Sequence, residues 1–259
     1  MEWNVFRSGL FVGCTAMVVR PLVLGHRGAS QARPENTLGA FSKARELGAD
    51  GVELDARRTA DGSIVVHHDP AVDGFGLIVE HELSALRAAH PEIPTLAEAL
   101  AECAGMIVNV EIKCLPWEPD ADTPDRFVVG AVAEIVRAGA GKETPGSDFI
   151  VSSFDLGAVD ACRAFAPEIT TGWLTSRQGI APAAAIAAEH GHGWLNPDRV
   201  SALRASVGEI LDAQRSGLRV SVWTVDDPEE IATLAAAGVD AIITDVPDVA
   251  LAVLRERRP

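Results

Sequence analysis

The chain alternates short β-branched apolar runs with longer segments of helical period, and this alternation constrains the fold more than any other feature. The runs predict eight strands, at residues 22–26, 51–57, 106–113, 148–153, 170–175, 193–196, 219–225 and 240–244. The segments between them predict helices near residues 37–47, 95–104, 125–138, 155–165, 181–190, 207–216, 228–237 and 247–257. Eight βα units over about 240 residues fit an α/β protein with a single (β/α)8 TIM barrel better than an open sheet.

One segment interrupts the simple alternation. An Asp-Gly turn signal precedes residues 64–68, which predict a hairpin arm beside the second strand. No linker or low-complexity tract divides the chain, so we expect one domain over residues 21–259.

Residues 1–20 form a separate N-terminal extension, which is expected to be disordered or to contain the start at Met17, with residues 1–16 upstream of it. The extension has a short apolar run like the core of an export signal, but few basic residues precede it, and we expect a cytoplasmic protein. No apolar run reaches the roughly 18 residues that a membrane span needs. The cysteines are widely spaced and are expected to be buried, reduced thiols. They are Cys14, Cys103, Cys114 and Cys162.

The chain is acidic, with 22 Lys and Arg against 37 Asp and Glu, a net charge of −15 over 259 residues. This balance excludes nucleic acid as the main partner and argues against stable association with anionic membranes. An anionic substrate would need a local cation, either a metal ion or converging Arg and Lys side chains. The charge leaves the oligomeric state open.

Three carboxylates fall near the ends of two neighbouring predicted strands. Glu53 and Asp55 lie two positions apart, so they share one face of their strand, and Glu111 ends the next one. Inward carboxylates repel each other and lose hydration, so they need a cation. Oxygen ligands without a thiol suit Mg²⁺ or Ca²⁺. The alternative is a lattice of ion pairs with Arg57 and Lys113.

The first strand ends in a Gly-His-Arg-Gly sequence that places His26 and Arg27 at the barrel mouth. An imidazole beside a guanidinium suits general acid–base work next to an anion. Asn36 or Thr37 is expected to cap the following helix. A second histidine pair, His67 and His68, ends the hairpin arm, and strand alternation does not decide which of the two faces the site.

Together these motifs resemble the glycerophosphodiester phosphodiesterase family. The similarity covers HRG…PENT, GADGVELDARRTADGSIVVHHD, NVEIK, SSFD and VWTVDDPEE…GVDAIITDVP, from about residue 22 to residue 252 and in the family's order. The resemblance implies a TIM barrel that hydrolyses glycerophosphodiesters to sn-glycerol 3-phosphate and an alcohol, with one divalent cation, Mg²⁺ or Ca²⁺, in the site. The expected partner is therefore a small-molecule glycerophosphodiester.

The resemblance also assigns roles to individual residues. It implies that His26 and His68 are the catalytic histidines, and it selects His68 over His67 because His68 directly precedes Asp69, as in the family's His-Asp pair. The implied metal ligands are Glu53, Asp55 and Glu111. The implied substrate-binding residues are Arg27 and Lys113 for the phosphate and Trp223 for the glycerol. The alternative for Trp223 is that it is a core residue at the rim of the barrel.

The chain departs from the family pattern after the His-Asp pair, where the cap insertion before Ile93 is short. This leaves the preference for the alcohol group open. A lysophospholipase D or sphingomyelinase D-like activity on the same fold is one alternative, because the cap contains an apolar patch. A barrel that binds phosphoesters without hydrolysing them is another. The patch residues are Phe75, Leu77, Ile78 and Val79.

Overall fold

In the computed structural model, eight parallel strands close into a barrel because β1 (Leu22–His26) pairs with both β11 (Ala241–Thr244) and β2 (Gly51–Arg58). The structure describes residues 20–122, 127–139 and 149–256. The other barrel strands are β6 (Ile107–Ile112), β7 (Phe149–Ser153), β8 (Thr170–Thr175), β9 (Trp194–Pro197) and β10 (Arg219–Val222). The predicted (β/α)8 TIM barrel is confirmed.

The helices lie on the outside of the barrel, where they cover the outward faces of the strands. Apolar side chains that alternate with the inward ones, such as Val52 and Leu54 of β2, are buried in this layer. The helices are α1 (Leu38–Leu47), α2 (Leu83–Ala89), α3 (Leu96–Glu102), α4 (Phe127–Gly139), α5 (Leu156–Phe165), α6 (Ile180–Glu189), α7 (Arg199–Arg204), α8 (Val207–Arg215), α9 (Pro228–Ala237) and α10 (Pro247–Glu256).

The barrel interior changes from apolar to polar along the strands. Near the amino ends, Ile150, Trp194 and Ala241 form a small buried cluster. Nearer the carboxyl ends, Glu53 and Glu111 are buried and polar. The buried carboxylates of the interior therefore lie toward the carboxyl end, where TIM barrels hold their sites.

The predicted hairpin arm is β3 (Ile64–Val66), which runs antiparallel to β2. The cap follows it as a small pair, β4 (Ala71–Val72) with β5 (Gly76–Leu77), a 3-10 turn and α2. Ile78 of the cap is fully buried in a cluster of its own, against which Phe75 packs. Two of the four predicted patch residues thus pack inside the cap, whereas Leu77 and Val79 are half-buried and lie outside this cluster.

The first barrel strand is preceded by Arg20, whose guanidinium forms an ion pair with Asp50 at 2.6 Å. Residues 1–19 of the predicted extension, and with them Cys14, lie outside the described residues. Cys103, Cys114 and Cys162 are buried, as expected. Within the described ranges, no helix is both long enough and apolar enough to cross a membrane.

Candidate active site

Strand register places the predicted strand residues of the site at two successive levels of the barrel. His26 of β1 is the register partner of Glu53 in β2, and Asp55 of β2 is the partner of Glu111 in β6. Neighbouring parallel strands therefore present three carboxylates and one imidazole to the same end of the barrel, with Asp55 and Glu111 one pleat further along than His26 and Glu53.

The three carboxylates form one buried cluster, in which one oxygen each of Glu53, Asp55 and Glu111 lies within 4.8 Å of the others. Burial, together with the charge of Asp55, raises the pKa of Glu53 to about 8. The pKa of Asp55 falls to about 2, because Lys113 and Arg27 outweigh the opposing effect of burial. The site thus holds one firmly ionised carboxylate beside one whose charge is poorly stabilised.

Two cations of the chain lie within this cluster. Lys113 Nζ is 2.9 Å from Asp55 Oδ1 and 2.5 Å from Glu111 Oε1. Arg27 Nε is 3.2 Å from Asp55 Oδ2, and its backbone N–H donates to Glu53 Oε2. If all three carboxylates are ionised, they carry one negative charge more than these two cations offset.

The donor set fits a hard divalent cation. Glu53 Oε1 is buried and accepts no hydrogen bond from the part of the chain that the structure describes. An unpaired buried carboxylate oxygen is costly, and a cation is the partner that relieves it. Glu53, Asp55 and Glu111 are the residues that would hold the ion.

The loop after β1 has a strained backbone that positions Arg27. Arg27 has a φ of 54°, in the left-handed region that an arginine seldom adopts. Gly28 follows with a φ of 88°, and a Cβ there would lie 2.6 Å from the backbone of Ala40 in α1. The close approach of α1 therefore requires a glycine, and this holds the loop against the site.

His26 is oriented from both sides of its ring. Its Nδ1 lies 2.7 Å from Asp245 Oδ1, and its Nε2 lies 4.0 Å from Glu53 Oε2. Burial lowers the pKa of His26, but the hydrogen bond to Asp245 and the charge of Glu53 outweigh it and raise the pKa above its ordinary value. The ring therefore keeps Nε2 directed toward the carboxylates and is prone to protonation.

His68 lies at the same mouth, on the hairpin side. Its Nδ1 is 2.7 Å from Asp69 Oδ1, and its carbonyl accepts a hydrogen bond from Arg57 Nε at 2.7 Å. Burial, with the nearby positive charge of Lys113, lowers the pKa of His68 below its ordinary value. His67 instead directs its Nδ1 to the backbone oxygen of Asp69 at 2.9 Å. Of the two histidines, His68 is the one that interacts with the charges of the cluster.

Trp223 lies at the carboxyl end of β10. Its indole N–H donates to the backbone oxygen of Asn196 at the end of β9, and its ring meets Phe154 edge-on with the centroids 5.3 Å apart. The indole is only partly buried, so it forms an aromatic wall at the rim of the barrel.

The comparisons with known proteins agree with this geometry. A model of the glycerophosphoryl diester phosphodiesterase family matches residues 26–249. The chain belongs to this family. It is therefore an enzyme of the phosphoric diester hydrolase class.

Relatives and solved structures in this family cover nearly the whole chain. A glycerophosphodiester phosphodiesterase of Caldanaerobacter subterraneus is 31% identical, over 92% of this chain and 99% of that protein. The crystal structure of the Thermotoga maritima enzyme is 30% identical, with a TM-score of 0.74 over 91% of this chain and 98% of that one. A phosphodiesterase of Oleispira antarctica, solved with the product sn-glycerol-3-phosphate, is 26% identical, with a TM-score of 0.78 over 91% and 97% of the two chains.

Two residues of this phosphodiesterase site were missed in the sequence. Asn36 is buried and donates from Nδ2 to Asp55 Oδ2 at 2.7 Å, while Thr37 alone caps α1. Asn36 has a φ of 56°, a conformation that no sequence pattern specifies. Asp245, the hydrogen-bond partner of His26, lies in the TDVP sequence that follows β11. Its position at the end of a strand is the sequence signal that could have identified it as a site residue.

The alternative of an ion-pair lattice is correct for one of its two cations. Lys113 does bridge Asp55 and Glu111. Arg57 is turned away from them and forms ion pairs with Glu118 and Asp120, at 3.2 Å and 2.5 Å. Arg57 therefore does not offset the charge of the carboxylate cluster.

Proposed function

We propose that this family member hydrolyses glycerophosphodiesters to sn-glycerol 3-phosphate and an alcohol, with one divalent cation bound by Glu53, Asp55 and Glu111. The observation that supports this most is the pair of oriented imidazoles, His26 and His68, beside a buried carboxylate cluster. A protein that only bound phosphoesters would have no use for two proton carriers at that place.

The positive charges have a direct role in this proposal. A phosphodiester is anionic, and attack on it concentrates charge on the non-bridging oxygens. Arg27 and Lys113 are the side chains that would bind those oxygens. When bound, the divalent cation would supply further neutralisation of the same charge.

The two histidines would move the protons. In direct hydrolysis, a water oxygen forms a bond to phosphorus as one imidazole takes its proton, and the phosphorus–alcohol bond breaks as the other imidazole protonates the leaving alkoxide. Attack by the glycerol 2-hydroxyl is the alternative, and it forms a cyclic phosphate that water then opens. A substrate analogue without the 2-hydroxyl separates the two routes, because only direct hydrolysis turns it over.

The remaining polar and aromatic groups would orient the reacting ones. Asp245 would hold the His26 ring toward the phosphate, and Asn36 would hold Asp55 toward the cation. Trp223 would pack its exposed face against the glycerol carbons. A cytoplasmic location and a single cation per site belong to the same proposal.

The proposal is tested by measuring release of sn-glycerol 3-phosphate from glycerophosphocholine and glycerophosphoethanolamine, with Mg²⁺, with Ca²⁺ and with EDTA. We expect product with a divalent cation and none with EDTA. Activity on lysophosphatidylcholine without activity on either glycerophosphodiester would instead identify a lysophospholipase D. Binding of the substrates without any product, by a folded protein, would identify a non-catalytic barrel.

A further inference from the structure

A second group of metal-binding side chains lies away from the carboxylate cluster. It consists of Asp160 in α5 and of His190 and His192, in the turn that joins α6 to β9. One ligand atom from each lies within 4.8 Å of the others. The turn precedes β9, so this cluster is at the amino end of the strands, opposite the barrel mouth.

The distances to one carboxylate oxygen suit a tetrahedral metal site. Asp160 Oδ1 lies 2.9 Å from His190 Nδ1 and 3.3 Å from His192 Nε2. With metal–ligand bonds of about 2.0–2.1 Å, tetrahedral zinc ligands are separated by roughly 3.3 Å. Asp160 Oδ1 thus lies at nearly this separation from both rings, and one ligand atom of each ring lies within 4.8 Å of the other.

His192 is the decisive member of the cluster. Its side chain is 0% exposed, and Nε2 makes no hydrogen bond among the described residues although it faces Asp160. Its Nδ1 lies 2.9 Å from the hydroxyl of buried Thr171. When Nδ1–H donates to Thr171, Nε2 is left with its lone pair toward the cluster, as in metal-binding histidines held by an outer hydrogen bond. Burial lowers the pKa of His192, which favours this neutral form.

The backbone of the turn brings the two rings together. Gly191 has a φ of 75°, and a Cβ there would lie 2.8 Å from the guanidinium of Arg163. Glycine adopts this left-handed conformation without strain, and in it the rings of His190 and His192 stack with an interplanar angle of 22°. Arg163 Nε donates a hydrogen bond to the Gly191 carbonyl at 2.9 Å.

We propose that Asp160, His190 and His192 form a second metal site, for a borderline divalent ion of the Zn²⁺ class. Two imidazoles and a carboxylate are ligands that suit zinc better than Mg²⁺ or Ca²⁺, whereas the three carboxylates of the mouth have the opposite preference. Three protein ligands leave a fourth position for water. Because the ligands come from α5 and from the α6–β9 turn, the ion would link these two elements and stabilise the barrel.

The experiment measures zinc content after the full-length protein is dialysed against Zn²⁺ in the presence of excess Mg²⁺, which occupies the mouth. The wild type is expected to hold one more zinc per chain than His190→Ala and His192→Ala. His90→Ala is the matched control, because His90 also pairs with a carboxylate, Glu92 at 3.1 Å, but belongs to neither three-ligand cluster. It should hold as much zinc as the wild type.

Two further measurements, of melting temperature and of activity, show whether the variants remain folded and functional. Zn²⁺ should raise the melting temperature of the wild type and of His90→Ala, but not that of His190→Ala, whose exposed histidine can be removed without opening the core. Phosphodiesterase activity of His190→Ala with Mg²⁺ should be unchanged, so the zinc result stands independently of the proposed function. Equal zinc content in the wild type and both cluster variants would overturn the proposal.

Discussion

His26 Nδ1 lies 2.7 Å from Asp245 Oδ1, so the residue after β11 orients the imidazole that ends β1. Ser30 donates to the same Asp245 oxygen at 2.8 Å. A carboxylate that holds the far nitrogen of a catalytic imidazole fixes both its tautomer and its direction. Asp245 is thus a positioning residue for His26.

Asp245→Asn is expected to lower kcat on the order of 100-fold, the usual contribution of a positioned acid or base, with little change in KM. Because Asp245 raises the pKa of His26, its loss should also move the His26 limb of the pH–rate profile to lower pH. Ser30→Ala, which keeps the carboxylate, serves as the control. An unshifted profile in Asp245→Asn would show that the contact only supports the fold.

Glu53 should make the metal-free protein less stable as pH rises. Its pKa is raised to about 8 in the folded state, so between about pH 5 and pH 8 the folded chain binds more protons than the unfolded one, and stability falls with pH. Melting temperatures in EDTA at the two ends of this range should therefore differ more for the wild type than for Glu53→Gln. A divalent cation should remove the wild-type difference at high pH. Equal pH dependence in both proteins contradicts this account of Glu53.

Asn36 should affect cation affinity through Asp55. Asn36→Gly keeps the left-handed backbone but removes the amide that binds Asp55, and we expect cation affinity to fall about 10- to 100-fold. The cation concentration for half-maximal rate measures this. Thr37→Ala is the control for the same loop, because loss of the α1 cap should cost about 1 kcal/mol of stability and leave the affinity unchanged. Similar affinities in both variants would rule out a role for Asn36.

Arg57 should matter for stability and for the placement of His68. It is fully buried between Glu118, Asp120 and the His68 carbonyl, so Arg57→Met leaves buried carboxylates without their partner. We expect a loss of about 3–5 kcal/mol in the free energy of unfolding by denaturant. Arg58→Met is the matched control next to it, since its ion pair with Asp122 is 3.7 Å long and partly exposed, and it should cost under about 1 kcal/mol. A small loss for Arg57→Met would show that water reaches these carboxylates.

The barrel could be predicted from the sequence because each of its strands is a short apolar run between two amphipathic segments. The prediction extended β10 to residue 225, whereas the regular strand ends at Val222 and Trp223 keeps only an isolated parallel bridge to Asp198. It missed α2 and α7, which have seven and six residues.

Strand alternation determines which side chains point into the barrel, so Glu53 and Asp55 could be placed in the site from the sequence. Site residues that lie outside the strands could not be placed in this way. β3 ends at Val66, so alternation could not decide between His67 and His68, which lie after the strand. Arg57 lies two positions after Asp55 in β2 and therefore shares its inward face, but it forms ion pairs with residues of a loop that is distant in the sequence. The pairing of such residues with distant partners, like that of Asp245 with His26, depends on barrel closure and cannot be read from the local sequence.

The most direct test of the proposed reaction compares the adjacent histidines. Initial rates of sn-glycerol 3-phosphate release from glycerophosphocholine would be measured for the wild type, His26→Ala, His68→Ala and His67→Ala under saturating cation. The account predicts that His26→Ala and His68→Ala each lose a factor of about 100 or more, while His67→Ala stays close to the wild type. A wild-type rate for folded His68→Ala, or a loss confined to His67→Ala, would contradict the assignment of the two proton carriers.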